Sequence, residues 1–407
     1  MLATSLLRPF IDLEPCRRGP LYARGLEQYW IAFIDIRRPR FVLQRTLPRP
    51  FRTQFLAETG LLEYQADDPR DIPSTLWSTR WRAMCEAVYA WEELTTDRQC
   101  RLALLLHALC FYSLIATIVP DRREAPPIGD ADDAELAYWR ASARYVLRLP
   151  DRVADYGEAD LSELERIVAT APTHAPAAFN AALKVFTHKA KLGAPVGELL
   201  TWSARAERLL DTVVAKTDDF TRAILSSRFY RAAAFIPQRR GDRLEVVRMM
   251  TLAEHHARAM VPIGEAQELL YLENLHPLME SRAKEALWLG DLDLALERAL
   301  CVVDLDPYDS RAWLEVGQVR LHRNEPALAA EAYASAATLG HPSTAIARHM
   351  AGLCFRHLAQ PLMAAFFFGA ALNIDPRATS PHEEIQALPD VPVLTALKEW
   401  SLESFAL

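Results

Sequence analysis

The chain has 407 residues, of which 51% are hydrophobic and 24% are charged, and its formal net charge is -7. This composition is ordinary for a soluble globular protein, and the acidic balance argues against a protein that binds nucleic acid by bulk charge attraction. Only 14 residues are glycine, while Ala, Leu, Arg and Glu are abundant, which favours helices over sheets.

The first 60 residues carry the one basic concentration of the chain. They hold ten Arg and five acids, a net charge of about +5, so the remainder carries about -12 (-7 minus 5). The stretch 26–36, LEQYWIAFIDI, is apolar and fits a helix or a buried strand. Residues 37–52 contain three prolines and no acid, so we predict an extended basic arm. Its arginines are Arg37, Arg38, Arg40, Arg45, Arg49 and Arg52.

Three kinds of partner suit this basic arm. The first is the acidic remainder of the chain itself, the second is a separate acidic partner, and the third is nucleic acid. The first fifteen residues, MLATSLLRPFIDLEP, have no apolar run long enough for a signal peptide, and the widely spaced cysteines fit reduced thiols, so a cytoplasmic location is expected.

Two adjoining segments predict core helices. Residues 73–94 place five large side chains on one helix face, a pattern typical of a core. The run 102–119 has eighteen residues without a permanent charge, which is marginally long enough to span a membrane. Because it also holds polar residues, we interpret 97–119 as one buried helix of a soluble protein. The face predicted for 73–94 consists of Trp77, Trp81, Met84, Val88 and Trp91.

The middle of the chain predicts helix pairs. A polar, Pro-rich linker at 120–133 marks the first candidate boundary. A helix is expected at 133–149, and a shorter one at 160–172 has Asp160 or Ser162 as its cap. Four further segments show apolar residues at three- and four-residue intervals, and their short loops predict two antiparallel hairpins.

Residues 276–378 contain a clear internal repeat. Three segments, 290–307, 312–342 and 349–376, align at a period of about 34–35 residues. Small residues recur at matching places, where two helices must approach closely. These matches are Gly317 with Gly352 and Ala329 with Ala364, and prolines 307, 342 and 376 end the three units.

The helices on either side of this repeat follow the same logic. Residues 264–290 predict a helix that Pro277 kinks or restarts. The final stretch 391–407 predicts a helix that covers the last exposed apolar face of the stack.

The period and the residue choice resemble the tetratricopeptide repeat. In the first unit Ala283 stands where the family usually has a small glycine. The resemblance implies an all-α, right-handed superhelical solenoid of antiparallel helix pairs, with an N-terminal helical module. The matching residues in the second and third units are Trp313, Gly317, Ala329, Tyr333, Ala336, Gly352, Phe355, Ala364, Phe368, Ala371 and Pro376. The domains expected on this basis are 1–130 (N-terminal module), 131–275 (degenerate hairpins), 276–378 (three repeats) and 379–407 (capping helix).

The resemblance also implies a binding groove. In this family the first helix of each repeat lines a concave groove that binds peptides or partner proteins. One branch grips a C-terminal carboxylate with Lys and Asn, but here those places hold Glu280, Ser281, Leu314, Glu315, His349 and Met350. A chaperone tail is therefore not expected as the ligand. The groove positions carried over to this sequence are Lys284, Trp288, Arg311, Gln318, His322, His349 and Arg356.

Motifs that would carry chemistry are scarce. Glu273 and His276 form one E-x-x-H pair, which is half of a di-iron pattern, and no second pair occurs. No phosphate-binding glycine loop, HExxH or G-x-S-x-G motif is present. The six cysteines lie far apart without finger-like spacing, which argues against zinc. We therefore assign no catalytic, cofactor-binding or metal-binding residue.

The sequence favours a non-catalytic scaffold or adaptor that binds a protein or peptide in its groove, as an accessory factor in a bacterial biosynthetic or regulatory system. No membrane partner and no cofactor are expected, and nucleic acid is disfavoured. Two alternatives remain open. One is an enzyme, or a subunit of one, with its chemistry in the N-terminal module or at Glu273 and His276. The other is a regulator that binds nucleic acid through the basic arm.

Overall fold

The computed structural model describes residues 68–120, 130–147, 161–263, 265–307, 309–339, 344–376 and 378–406. The predictions for the apolar stretch 26–36 and for the basic arm 37–52 lie outside these residues. Contacts divide the chain into two compact units. Their described parts are residues 68–281, called unit 1, and residues 282–406, called unit 2.

The regular secondary structure of the described residues is helical throughout, which confirms the predicted all-α class. Three short 3-10 turns lie between residues 69 and 93, beside the first α-helix. The helices that begin in unit 1 are α1 (Thr79–Tyr89), α2 (Thr96–Ala108), α3 (Tyr112–Ile118), α4 (Ala131–Leu147), α5 (Ser162–Thr170), α6 (Pro176–Lys191), α7 (Val196–Val214), α8 (Asp219–Ala233), α9 (Phe235–Arg240), α10 (Arg243–Arg258) and α11 (Glu265–Leu289). The helices that lie wholly in unit 2 are α12 (Leu292–Leu305), α13 (Ser310–His322), α14 (Pro326–Thr338), α15 (Thr344–His357), α16 (Pro361–Leu372), α17 (Thr379–Gln386) and α18 (Pro392–Ala406).

The hydrophobic run 102–119 is buried, but it does not form one helix. The chain turns at Cys110, which adopts a left-handed backbone with φ of 65°, and continues as α3. The turn brings α2 and α3 against each other and against α4. Two short helices thereby bury their apolar residues within one core, and no helix of the described residues has the length and apolarity that crossing a bilayer requires.

The aromatic face predicted for residues 73–94 does enter the core. Trp81, Met84, Val88 and Trp91 are buried, and Trp77 is half-buried. The indole N–H of Trp81 donates to the carbonyl of Pro69 at 3.1 Å, so the ring satisfies its polar atom inside the core. The helix itself is shorter than predicted, since α1 begins only at Thr79, after Ser78 accepts a capping bond from the Trp81 amide.

Two local predictions in unit 1 are tested only in part. Leu161, and not Ser162, precedes α5, and it provides no side-chain cap; the alternative cap Asp160 lies outside the described residues. Pro277 does not restart a helix, because α11 runs through it from Glu265 to Leu289; the predicted kink stays a prediction. The carbonyl of Pro277 accepts bonds from the Ser281 hydroxyl at 2.8 Å and from the Arg231 guanidinium at 3.3 Å. These bonds tie the helix down just after the proline.

Unit 2 is a stack of consecutive helices. Each helix from α12 to α16 packs on the next one along the chain, and α17 and α18 close the end of the stack. Helix α18 contacts both α16 and α17, as the predicted capping helix should. The short helix α17 was not predicted.

Candidate functional site

The turn between the two helices of each repeat has the same geometry three times. Gly290, Asn324 and Ala359 have left-handed backbones with φ of 88°, 60° and 56°. The next residue in each turn donates its N–H to the carbonyl five residues back, at 3.0, 2.9 and 2.9 Å. This is the Schellman ending of a helix, in which a left-handed residue lets the chain reverse. The sequence period therefore corresponds to a repeated backbone turn.

The small residues of the repeat lie where two helices meet most closely. A Cβ atom added to Gly317 would lie 2.6–2.8 Å from the ring of Tyr333, and one added to Gly352 would lie 2.5–3.1 Å from the ring of Phe368. Both rings are fully buried, so they have no room to retreat. Each glycine is therefore needed because the ring of the aromatic residue sixteen positions later occupies the space that a Cβ atom would take. Unit 2 is a tetratricopeptide-like repeat array.

The first repeat departs from this pattern in both helices at once. Ala283 occupies the glycine position, and Ala299, sixteen residues later, occupies the aromatic position. Both alanines are buried. Because Ala299 has no ring, the first helix can carry a Cβ at this place without a clash. The sequence contained this compensation, but it becomes evident only when the two positions are compared as a pair.

The predicted groove residues lie on the first helices of the repeats, and ion pairs link two of them to the next first helix. Lys284 pairs with Glu315 of α13 at 2.8 Å, and Arg356 of α15 pairs with Glu384 of α17. Arg311 pairs with Asp309 at the start of its own helix, at 2.7 Å. We call the surface made by residues 282–289, α13, α15 and α17 the first-helix face. Three of its predicted cations are thus neutralised within the chain.

The other predicted groove residues differ in how much surface they offer. His322 is exposed, while Gln318 and Trp288 are half-buried. His349 is only 9% exposed, and its ring packs against Phe368 at a centroid distance of 5.6 Å. His349 therefore presents little surface to a ligand, whereas Gln318 and His322, one helical turn apart, present theirs together.

A buried charged cluster supports the base of the first-helix face. Glu285 is 6% exposed and accepts from Arg282 at 2.6 Å and from Arg298 at 3.1 Å. Arg298 also donates to the Arg282 carbonyl at 2.9 Å. The cluster fastens α12 to the helix that carries Lys284. Sequence reading missed it because Arg298 lies thirteen residues from Glu285.

Unit 1 contains a buried polar network that the sequence reading also missed. Ser142 of α4 lies between His107 of α2, at 2.9 Å, and the Lys184 ammonium of α6, at 2.5 Å. The Lys184 nitrogen also lies over the rings of Tyr138 and Tyr145, at 5.7 and 5.3 Å. Ser142 has 0% exposure, so no substrate can reach its hydroxyl and the network serves to join three core helices. The spacing of Tyr138, Ser142 and Tyr145 on one face of α4 was the available signal.

The residues of the E-x-x-H pair lie together on α11. Glu273 is half-buried and His276 is 1% exposed. Chemistry at this pair stays a prediction.

Buried thiols are poorly reactive in this protein. Burial raises the pKa of Cys85 and of Cys100 to about 12, and that of Cys354 to about 11. Because the thiolate is the reactive species, only a small fraction of these three thiols is in the reactive form at neutral pH. No disulfide joins the cysteines of the described residues.

Comparisons with known proteins give distant structural likenesses only. No protein-family model matches the sequence, and no curated protein matches it significantly. YrrB, a tetratricopeptide protein with an unusual peptide-binding site, is 18% identical over 50% of this chain and 95% of its own, with a TM-score of 0.33. A tetratricopeptide repeat protein from Parabacteroides merdae is 11% identical over 79% of this chain and 98% of its own, with a TM-score of 0.36. The human IFIT1 dimer with PPP-AAAA is 13% identical over 99% of this chain and 93% of its own, with a TM-score of 0.35.

Proposed function

We propose that unit 2 is a non-catalytic binding module that holds a peptide or a segment of a partner protein along its first-helix face. The observation that carries the proposal is the repeat geometry, in which Gly317 and Gly352 allow close packing of helix pairs. Such stacking places the first helices of successive repeats side by side, and a row of parallel helices makes an extended surface. The partner is a protein, and the chain acts as an adaptor in a bacterial biosynthetic or regulatory system.

The charges of this face indicate how it would recognise its ligand. Lys284 and Arg356 pair with Glu315 and Glu384, so an acidic tail would have to compete with these carboxylates. Both cations are about half exposed, and such surface ion pairs contribute only about 0–1 kcal/mol to the packing of neighbouring first helices. Recognition then falls to Gln318 and His322, which can donate or accept hydrogen bonds, and to the half-buried apolar side chains beside them.

The proposal is tested by substitution on opposite faces of one repeat. The double variant Gln318→Glu and His322→Glu places two carboxylates on the first-helix face, while Thr338→Glu places one on an exposed position of α14. Partners captured from the native host by tagged protein are quantified by mass spectrometry. Capture of a specific partner should fall at least about tenfold with the first variant, since loss of even one interface hot spot costs about 2 kcal/mol, and should be unchanged with Thr338→Glu.

The same variants show which result would count against the groove. Equal capture by all three proteins would place the binding surface elsewhere. Circular dichroism should show unchanged helicity, because both substituted residues retain surface exposure and helix propensities differ little between Gln and Glu.

A further inference from the structure

The surface of unit 2 formed by α12, α14 and α16, on the other side from the first-helix face, changes from acidic to apolar along the stack. We call it the second-helix face. In the three helices Ala295, Ala329 and Ala364 are equivalent and fully buried. The residue two positions later points outward in each case, and it is Glu297, Glu331 and then Phe366, which is 66% exposed. One row of the surface thus runs from carboxylates to an aromatic ring.

The α16 end of this row is an exposed apolar patch. Leu362 is 57% exposed and Met363 is 42% exposed, and they adjoin Phe366 on one side of the helix. Helix α16 contains no charged residue between Pro361 and Leu372. The capping helix α18 packs elsewhere on α16, where Leu397 lies against Gly369. Within the described residues nothing covers the patch of Leu362, Met363 and Phe366.

The α12 end of the row is acidic. Asp293, Glu297 and Asp304 lie on one face of α12, and Cys301 lies among them. Burial raises the pKa of the Cys301 thiol, and the carboxylates of Asp304 and Glu297 raise it further, as a surface of negative potential should. Glu297, Asp304 and Glu331 form no ion pair with any residue that the structure describes, whereas Asp293 pairs with Arg323.

One segment of the chain matches this surface in composition and in order. We propose that residues 26–52 of this chain bind its second-helix face, with 26–36 on the apolar patch and the basic arm along the carboxylates of Glu331, Glu297 and Asp304. The stretch LEQYWIAFIDI supplies apolar side chains, and the next sixteen residues supply six Arg and no acid. The charges are therefore complementary, and apolar residues meet apolar residues.

The arm is long enough to span the second-helix face. Sixteen residues in the extended conformation that three prolines favour span roughly 50 Å, at about 3.1 Å per residue. Packed helices lie about 8–10 Å apart, so α16 and α12, which are four helices apart in the stack, are separated by at most roughly 40 Å. An arm that starts at the apolar patch can therefore reach the carboxylates of α12.

Docking in this way has a consequence for the partners of the chain. Arginines that are engaged by the protein's own carboxylates are withdrawn from nucleic acid and from other acidic partners. The arm would then act as a built-in ligand of the second-helix face, and a more acidic competitor or raised salt would release it. This proposal concerns the surface opposite the groove and stands or falls independently of it.

Limited trypsin digestion of the full-length protein tests the docking. Mass spectrometry follows cleavage of the Arg40–Phe41 and Arg45–Thr46 bonds at low salt, in wild type, in Phe366→Glu and in Leu244→Glu. The control residue Leu244 is 86% exposed on α10 of unit 1. Phe366→Glu should speed cleavage of the arm at least about tenfold, because the docked apolar stretch would lose its aromatic contact and cleavage follows the undocked population. Leu244→Glu should leave the rate unchanged.

Further conditions separate the possible occupants. The double variant Glu297→Arg and Glu331→Arg should also speed cleavage. So should 0.5 M salt, which shortens the Debye length to roughly 4 Å. Equal cleavage rates in wild type and Phe366→Glu would overturn the proposal. Protection that disappears on dilution would assign the surface to the arm of a second copy. Protection that appears only with an added oligonucleotide would assign the arm to nucleic acid, and both results would overturn docking within one chain.

Discussion

Replacing Gly317 with alanine tests whether the repeat period is fixed by helix packing. The new Cβ would lie 2.6–2.8 Å from three ring atoms of Tyr333, whose side chain is 1% exposed. Overpacking a core costs typically about 1–3 kcal/mol, whereas alanine improves helix propensity by about 1 kcal/mol. We expect a net loss of up to about 2 kcal/mol, because the buried ring cannot move away without displacing α13 or α14.

Urea denaturation followed by circular dichroism measures this loss, and a double-mutant cycle assigns its cause. Tyr333→Ala alone should cost about 3–5 kcal/mol, since it leaves a large cavity. In the double variant the added Cβ meets no ring, as at Ala283 and Ala299 of the first repeat, so the two losses should not add. We expect a coupling of about 1–3 kcal/mol, the full cost of the overpacking, because the gain in helix propensity cancels in the cycle. Strict additivity, or a more stable Gly317→Ala protein, would refute the packing argument.

Three further predictions concern single side chains. Ala359→Gly should stabilise the protein by about 0.5–1 kcal/mol in the same denaturation assay, because alanine is strained at φ of 56° while glycine is not. The control variant Ala327→Gly, at an exposed helical position, should destabilise the protein by a similar amount. Burial lowers the pKa of His256, and the nearby His255 lowers it further. The folded state therefore binds fewer protons than the unfolded state. The stability that neutral His256 contributes is lost as the pH falls below about 6.5. Melting temperatures between pH 7.5 and pH 5 should therefore fall less in His256→Gln than in wild type; equal slopes would contradict this. Among the described cysteines only Cys301 is exposed, and its pKa is raised. At pH 8 a maleimide should therefore label Cys301 slowly and leave Cys85 unlabelled until the protein unfolds, as measured by peptide mass spectrometry. Rapid labelling of Cys85 would contradict its buried position.

The helical class and the repeat period could be predicted because both depend on short-range patterns. Apolar residues at helical spacing and a glycine every 35 residues are visible within a single window of sequence. The break of the run 102–119 could not be predicted in this way, since a left-handed cysteine at Cys110 follows no residue preference. Pro277 is a case of the opposite kind: its strong local signal for a restart is overridden, and α11 continues through it from Glu265 to Leu289.

The candidate site was only partly predictable. The positions of Lys284, Gln318 and His322 follow from the repeat alignment, because helical periodicity fixes the face on which they lie. The neutralisation of Lys284 by Glu315 does not follow, since the two residues are 31 positions apart and belong to different repeats. Burial of His349 against Phe368 likewise depends on the angle between α15 and α16. Such contacts depend on how helices from different repeats pack, and local patterns in a single sequence do not reveal them.

The first repeat has Ala283 and Ala299 where the other two repeats have a glycine and an aromatic residue, and this difference affects which helices can pair. A helix with glycine at the crossing point accepts a ring, so α13 could accommodate the aromatic helix of either the second or the third repeat. The helix that carries Ala283 cannot do so, because its Cβ would meet Tyr333 or Phe368 at the distance that excludes alanine from Gly317. Among the three second helices only α12, with Ala299, fits beside it. The two alanines therefore penalise the pairing of this helix with α14 or α16, and they favour the native neighbour at this end of the array.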